Sequence, residues 1–337
     1  GSRRYRVGFC DIGLQAIVDP TSGLDPRFGA SSLVGGDFDG DGSQDVVGAI
    51  DNGGLTVAFN DGRGGFAPPT PPVSIAIGSL ITQNLQVAAV VFDIDGDGVD
   101  DVFDPPTPGH LPARVLLSNG LGGFSVTTVS LPAGSNPMPG SIPDAVVADL
   151  DGDGDKDVAA ARQGQALFPG VPTTIYWNQV GGAFTTQFVG TPHASRRVDA
   201  ADLDGNGWID LVIAVDSGTP AVDSCIVLYN FGAGIFVEAV IAPGQSFKSV
   251  ATGDVDADSD VDLLLDGTLY LNAGGGTFVA GPTAVGAPGV QLYRTKLADV
   301  DADGFLDLVS AAGVFRGLGA LGFGAFEPFH PQYPGTT

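Results

Sequence analysis

A chain of 337 residues can bury one large repeat domain or two ordinary domains, and 52 glycines and 24 prolines with few Lys, Met or Glu argue against helices and for short strands joined by tight turns. A hydrophobic content of 43% excludes a disordered chain despite a formal charge of −25. The 14 Lys and Arg are too few to build a phosphate-tracking surface, so no nucleic-acid partner is expected.

Residues 1–26 contain no clustered acids. Gly1 and Ser2 read as a tag scar, no basic and apolar leader follows them, and no run of about 18 apolar residues occurs in the chain, so neither a signal peptide nor a membrane span is visible. Residues 27–337 read as a single domain, because one nine-residue pattern, Asp-x-Asp-x-Asp-Gly-x-x-Asp, recurs through it six times.

In chain order the first three copies are Asp37, Asp39, Asp41 and Asp45; Asp93, Asp95, Asp97 and Asp101; and Asp149, Asp151, Asp153 and Asp157. The last three vary: Asp202, Asp204, Asn206 and Asp210; Asp254, Asp256, Asp258 and Asp262; and Asp299, Asp301, Asp303 and Asp307. Successive copies start 56, 56, 53, 52 and 45 residues apart, the length of a four-stranded propeller blade.

Each copy is preceded by a short apolar run, such as Ala145, Val146 and Val147, and followed by another, such as Leu211, Val212 and Ile213. Such runs bounded by turns predict buried strands. A third run ends in an Asn, glycines and a Phe, as from Val227 to Phe236, and a fourth, rich in Val, Thr and Pro, suits an exposed blade edge. The expectation is all-β: a propeller of six four-stranded blades, or seven if residues 5–20 help form a degenerate blade instead of adding a strand to the last one.

Alternating carboxylates in a tight loop suit a hard divalent ion with oxygen ligands, Ca²⁺ above all. Side chains one, three and five converge, the ninth Asp closes the shell, and residue seven offers its carbonyl: Ser43, Val99, Asp155, Trp208, Asp260 and Phe305. About six ions are expected, one per repeat. The Gly at position six, as at Gly42 or Gly154, bends the loop. Ala257 and Ser259 replace glycines in the fifth copy, so that site is expected to be the weakest or most strained. A helix-loop-helix calcium site is excluded by the strand-like runs that follow and by the missing Glu at position twelve.

The clusters and the Asn-x-Gly-x-Gly-x-Phe-like segments resemble the FG-GAP/VCBS repeats of integrin-alpha-like propellers over residues 28–337. The resemblance implies calcium loops on a lower face and a partner-binding upper face built from the loops joining strands two to three and four to one. Here the two-to-three loops are long around 104–113, 162–173 and 216–224 but short around 266–268.

No catalytic motif is found, and His110, His193 and His330 fall in three different repeats. Trp177 falls where other repeats have Phe59, Tyr229 and Leu271 and is expected to pack between blades, whereas Trp208, at position seven of a loop, is open to either packing or ligand contact. Arg196, Arg197, Lys248, Arg294 and Lys296 precede the last three clusters, so Arg196, Lys248 and Arg294 are candidate ligands for an anionic group, with neutralisation of nearby Asp as the plainer account.

Three functions fit this pattern. One is a secreted or cell-surface recognition or adhesion propeller, monomeric, calcium-stabilised, non-catalytic and binding a glycan or an extracellular protein. A second is the body of a polysaccharide lyase acting on a uronate through His193, Arg196, Lys248, Tyr293 and Arg294. A third is a structural spacer in a larger surface protein. Cys10 and Cys225 are expected to lie too far apart around the ring to form a disulfide.

Overall fold

The computed structural model describes residues 28–50, 55–63, 65–67, 88–106, 112–130, 144–162, 171–218, 223–286, 292, 295–310, 312–319 and 321–329. The segment 1–27, and with it Cys10 and any degenerate seventh blade, lies outside them, as do His110, His330, Tyr293 and Arg294.

The described strands form six four-stranded antiparallel sheets, the blades of a six-bladed β-propeller. Blade one contains β1 (Phe28–Gly36), β2 (Asp45–Ile50), β3 (Leu55–Asn60) and β4 (Phe66–Ala67). Blade two contains β5 (Val90–Phe92), β6 (Asp101–Asp104), β7 (Ala113–Ser118) and β8 (Phe124–Val129). Blade three contains β9 (Asp144–Ala148), β10 (Asp157–Ala161), β11 (Val171–Gln179) and β12 (Ala183–His193). Blade four contains β13 (Ser195–Ala201), β14 (Asp210–Val215), β15 (Cys225–Asn230) and β16 (Phe236–Ile241). Blade five contains β17 (Val250–Gly253), β18 (Asp262–Leu265), β19 (Thr268–Asn272) and β20 (Phe278–Ala284). Blade six contains β21 (Lys296–Ala298), β22 (Asp307–Val309), β23 (Gly313–Gly317) and β24 (Phe323–Pro328).

Within every blade the strands pair in sequence order, as joining by hairpins requires. The first strands of successive blades, β1 to β5 to β9 to β13 to β17 to β21, touch one another and so form the inner wall. The second strands are buried on both sides, which explains their unbroken apolar sequences. In β10, Val158 and Ala160 pack toward blade two while Ala159 and Ala161 pack toward blade four. In β14, Leu211, Ile213 and Val215 face blade three while Val212 and Ala214 face blade five. Period-two alternation thus feeds two apolar layers from one strand. Fourth strands are less buried: in β16, Val237 and Val240 are exposed and the other residues partly buried.

Side chains also tie blades two to five to the loop of the blade before each. Asn178, Asn230 and Asn272, at or next to the end of strand three, donate Nδ2–H to the carbonyls of Ile94, Leu150 and Leu203 at 2.9, 2.7 and 2.8 Å. Ser118 plays the same part through Oγ, 3.1 Å from the carbonyl of Phe38. Each acceptor lies between the first two Asp of a loop. These bonds are buried, where a satisfied polar pair also fixes register between packed sheets.

Candidate metal centres and the opposite face

All six acidic clusters lie in turns that join strand one to strand two at the same end of the propeller. Backbone donors set their shape. In loops one to four the first Asp accepts N–H groups from positions four and six, as Asp37 does from Gly40 and Gly42, both at 2.8 Å. The third and fifth Asp accept from two residues on, as in Asp39 with Asp41 and Asp41 with Ser43. The ninth Asp is fully buried and takes one N–H from position two and one from the end of strand three: Asp157 accepts from Leu150 at 2.9 Å and from Asn178 at 2.8 Å.

These bonds aim the remaining lone pairs at one point. One oxygen each from Asp37, Asp39 and Asp41, from Asp93, Asp95 and Asp101, from Asp149, Asp151 and Asp157, from Asp202, Asp204 and Asp210, and from Asp254, Asp256 and Asp262 lie within 4.8 Å of one another. That spread matches oxygens that share an ion at about 2.3–2.6 Å. An all-oxygen, mostly carboxylate donor set is the chemistry of a hard divalent cation. Burial pushes the carboxyls of Asp45, Asp101 and Asp157 up to about 7 and that of Asp210 to about 6, against the backbone donors that favour the ionised form. Negative neighbours raise them further, so the clusters are compatible with a divalent cation that would favour the charged state.

The loops share one backbone path, which the sequences fit unequally. Position four has positive φ in all six, supplied by Gly40, Gly96, Gly152 and Gly205 but by Ala257 (63°) and Ala302 (61°) in the last two; Ser259 holds 77° at position six. The strain expected of the fifth loop is therefore present, and the sixth shares part of it through Ala302, a substitution that sequence reasoning passed over. In both loops the position-four N–H makes no bond to the first Asp among the described residues, whereas Gly205 donates to Asp202 at 2.9 Å.

Position seven has a packing role as well. Trp208 lies against Gly152 in the loop of blade three and Gly232 in the hairpin of its own blade, where an added Cβ would come within 2.7 and 2.6 Å of the indole. Packing therefore accounts for Trp208, a point the sequence left open. Val99 lies similarly near Gly40 and Gly120, and Phe305 against Gly319. Trp177 is buried between blades three and four, with Nε1–H donating to Gln187 at 3.1 Å.

A further guanidinium stands at the sixth loop. Arg316 Nη1 is 3.2 Å from Asp307 Oδ2 and 3.6 Å from Asp301 Oδ2, and its Nε is 3.3 Å from Glu327 Oε2.

At the opposite end, the connections between strands two and three are uneven: β6 to β7, β10 to β11 and β14 to β15 are widely separated in sequence, whereas β18 runs into β19 through Asp266 and Gly267. Of the candidate anion ligands, Arg196 is paired with Asp216 at 3.3 Å, and Lys248 is exposed, its charge acting on Asp216 and Asp266. A hydrogen bond from Ser246, with the charges of Arg196 and Lys248, holds the Asp216 carboxyl below its ordinary value despite the opposing effect of burial. Lys296 reaches from β21 to Asp199 on β13 at 3.0 Å. Arg196 is thus matched by a carboxylate of this end and Lys296 by one on the inner strand of blade four, neither by an acidic loop. His193 bonds Glu238 of the next blade at 3.0 Å, on the outer strands and away from Arg196's partner. Cys225 is a buried free thiol.

Residues 37–103 and 149–213 match the family described as FG-GAP-like repeat. These stretches take in the first four acidic loops whole, so the chain is similar to that family where those four loops lie. No curated protein matches. Among solved structures, BBS1N in complex with ARL6DN, soaked with lead, is 12% identical with a TM-score of 0.51, over 88% of this chain and 81% of that one. The biofilm matrix protein Bap1 of V. cholerae is 20% identical with a TM-score of 0.40, over 69% of this chain and 38% of that one. The Aleuria aurantia lectin AAL, as a point mutant in complex with Fucalpha1-6GlcNAc, is 12% identical with a TM-score of 0.39, over 81% of this chain and 83% of that one. The likeness to BBS1N concerns the fold.

Proposed function

We propose that the protein is an extracellular or cell-surface recognition propeller, non-catalytic, with Ca²⁺ in its acidic loops and a glycan or protein partner on the opposite end. The observation that carries the reading is the contrast between the two ends. Repeated, backbone-tethered carboxylate loops at one end provide a rigid base, and connections of unequal length at the other provide the variable surface on which recognition is usually built. The ligands would be the first, third, fifth and ninth side chains of each loop with the position-seven carbonyl, and the ion would supply charge neutralisation and rigidity. Among the described residues no helix is long and apolar enough to cross a membrane.

A glycan array in calcium buffer, run beside a turnover assay on uronate polymers, tests the reading. Calcium-dependent binding without turnover is expected. Degradation of a uronate polymer would replace the reading with a lyase, and no binding to glycans or to extracellular proteins would leave a spacer.

A further inference from the structure

Taking the acidic loops as calcium sites, as proposed above, we infer that the sixth loop carries its own cation: the Arg316 guanidinium takes the place of a divalent ion, so the propeller binds one Ca²⁺ fewer than it has loops. The sequence already marks the position as unusual. The penultimate residue of strand three is Phe59, Leu117, Tyr229 or Leu271 in blades one, two, four and five, and Trp177 is its counterpart in blade three; only blade six places a charge there.

Geometry turns that exception into a substitution for the ion. Arg316 Nη1 reaches Asp301 and Asp307, the third and ninth side chains of the loop, at 3.6 and 3.2 Å. Their counterparts in loops two to five converge with the first Asp. Nε is held from the other side by Glu327 on β24 at 3.3 Å, so the guanidinium is clamped between the loop and the outer strand. Asp301 turns Oδ2 to the arginine and leaves Oδ1 buried with no hydrogen-bond partner among the described residues. A Ca²⁺ sharing those carboxylates would lie within a few ångströms of a fixed positive charge, and like charges at that range oppose binding strongly. Arginine cannot escape by losing its proton near neutral pH.

The test counts calcium by metal analysis after equilibrium dialysis at saturating Ca²⁺. Arg316→Leu, which restores the residue of blades two and five, is expected to bind one ion more per chain than the parent. Asp301→Asn in the parent background is expected to leave the count unchanged, whereas Asp95→Asn, its counterpart in loop two, should lower it by one. Equal counts for the parent and a folded Arg316→Leu, or loss of an ion on Asp301→Asn, would overturn the inference while leaving the calcium reading intact. A parent that binds no calcium would overturn both.

Discussion

Ala257 and Ser259 show what a residue gives up to keep a loop's path. Both hold the left-handed conformation that an L side chain adopts at a cost of about 1–2 kcal/mol, and both stand where sister loops have glycine. Ala257→Gly and Ser259→Gly should therefore each raise the unfolding free energy by about 1 kcal/mol in chemical denaturation with calcium present; no gain would mean the loop relaxes in solution. The same strain ranks the sites. Asp151→Ala should lower the calcium-dependent melting midpoint more than Asp256→Ala, because the third loop keeps both glycines and the backbone bonds that aim its carboxylates. Arg162 makes a separate point. It is buried just past the end of β10 with Nε unpartnered among the described residues, as are Thr174 Oγ1 and Tyr176 Oη, and burial holds its pKa below the usual value. A buried charge whose donors are not all satisfied destabilises, so Arg162→Met should raise stability by about 1 kcal/mol or more, measured in the same way.

The acidic loop, as an element, should reverse its pH response when calcium is removed. In the calcium-free protein the ninth Asp titrates near 7 in loops one to three, well above an unfolded aspartate at about 4. A raised folded pKa favours the protonated folded form, so its contribution to stability is complete below about pH 4 and disappears as pH rises through about 7. Calcium binds the ionised form and opposes that loss. Melting midpoints without calcium should fall between about pH 4 and pH 7 while the calcium-induced increment grows over the same window; a flat calcium-free profile would falsify this. How much of the element could be read beforehand depends on distance along the chain. The carboxylate spacing, the loop glycines and the four strands were legible because they lie within one repeat. The amide of Asn230 was visible only as part of a hairpin signature, since its acceptor on Leu150 is 80 residues away. Arg316 was overlooked for a related reason: nothing adjacent in sequence shows that strand three ends beside the loop.

For the whole molecule, exhaustive chelation should lower the melting midpoint, since each ion that binds only the folded state adds about 2.7 kcal/mol at a hundredfold excess over Kd. An unchanged midpoint with metal analysis confirming a calcium-free protein would remove the structural role of the ions. An anionic glycan bound at the Arg196 and Lys248 end should lose affinity in higher salt and in the Arg196→Ala, Lys248→Ala double variant, because exposed charges are screened over about 8 Å at physiological ionic strength. Retained affinity in that variant would move the site to the long connections of blades two to four. The side-chain ties between blades carry a consequence for how the molecule comes apart. Each one joins the carboxylate turn of one sheet to the next sheet, so the blades behave as a row of coupled units in which filling one turn also steadies its neighbour. Blade six has Gly317 at that place, where an added Cβ would lie 2.5 Å from the Leu306 carbonyl, so a glycine, with no side chain to reach back to the turn of blade five, stands where the other ties begin. The row therefore has a loose end. Amide exchange should be fastest in blade six, and opening should spread from there toward blade four, giving the ring a preferred direction of unzipping that its near-regular architecture conceals.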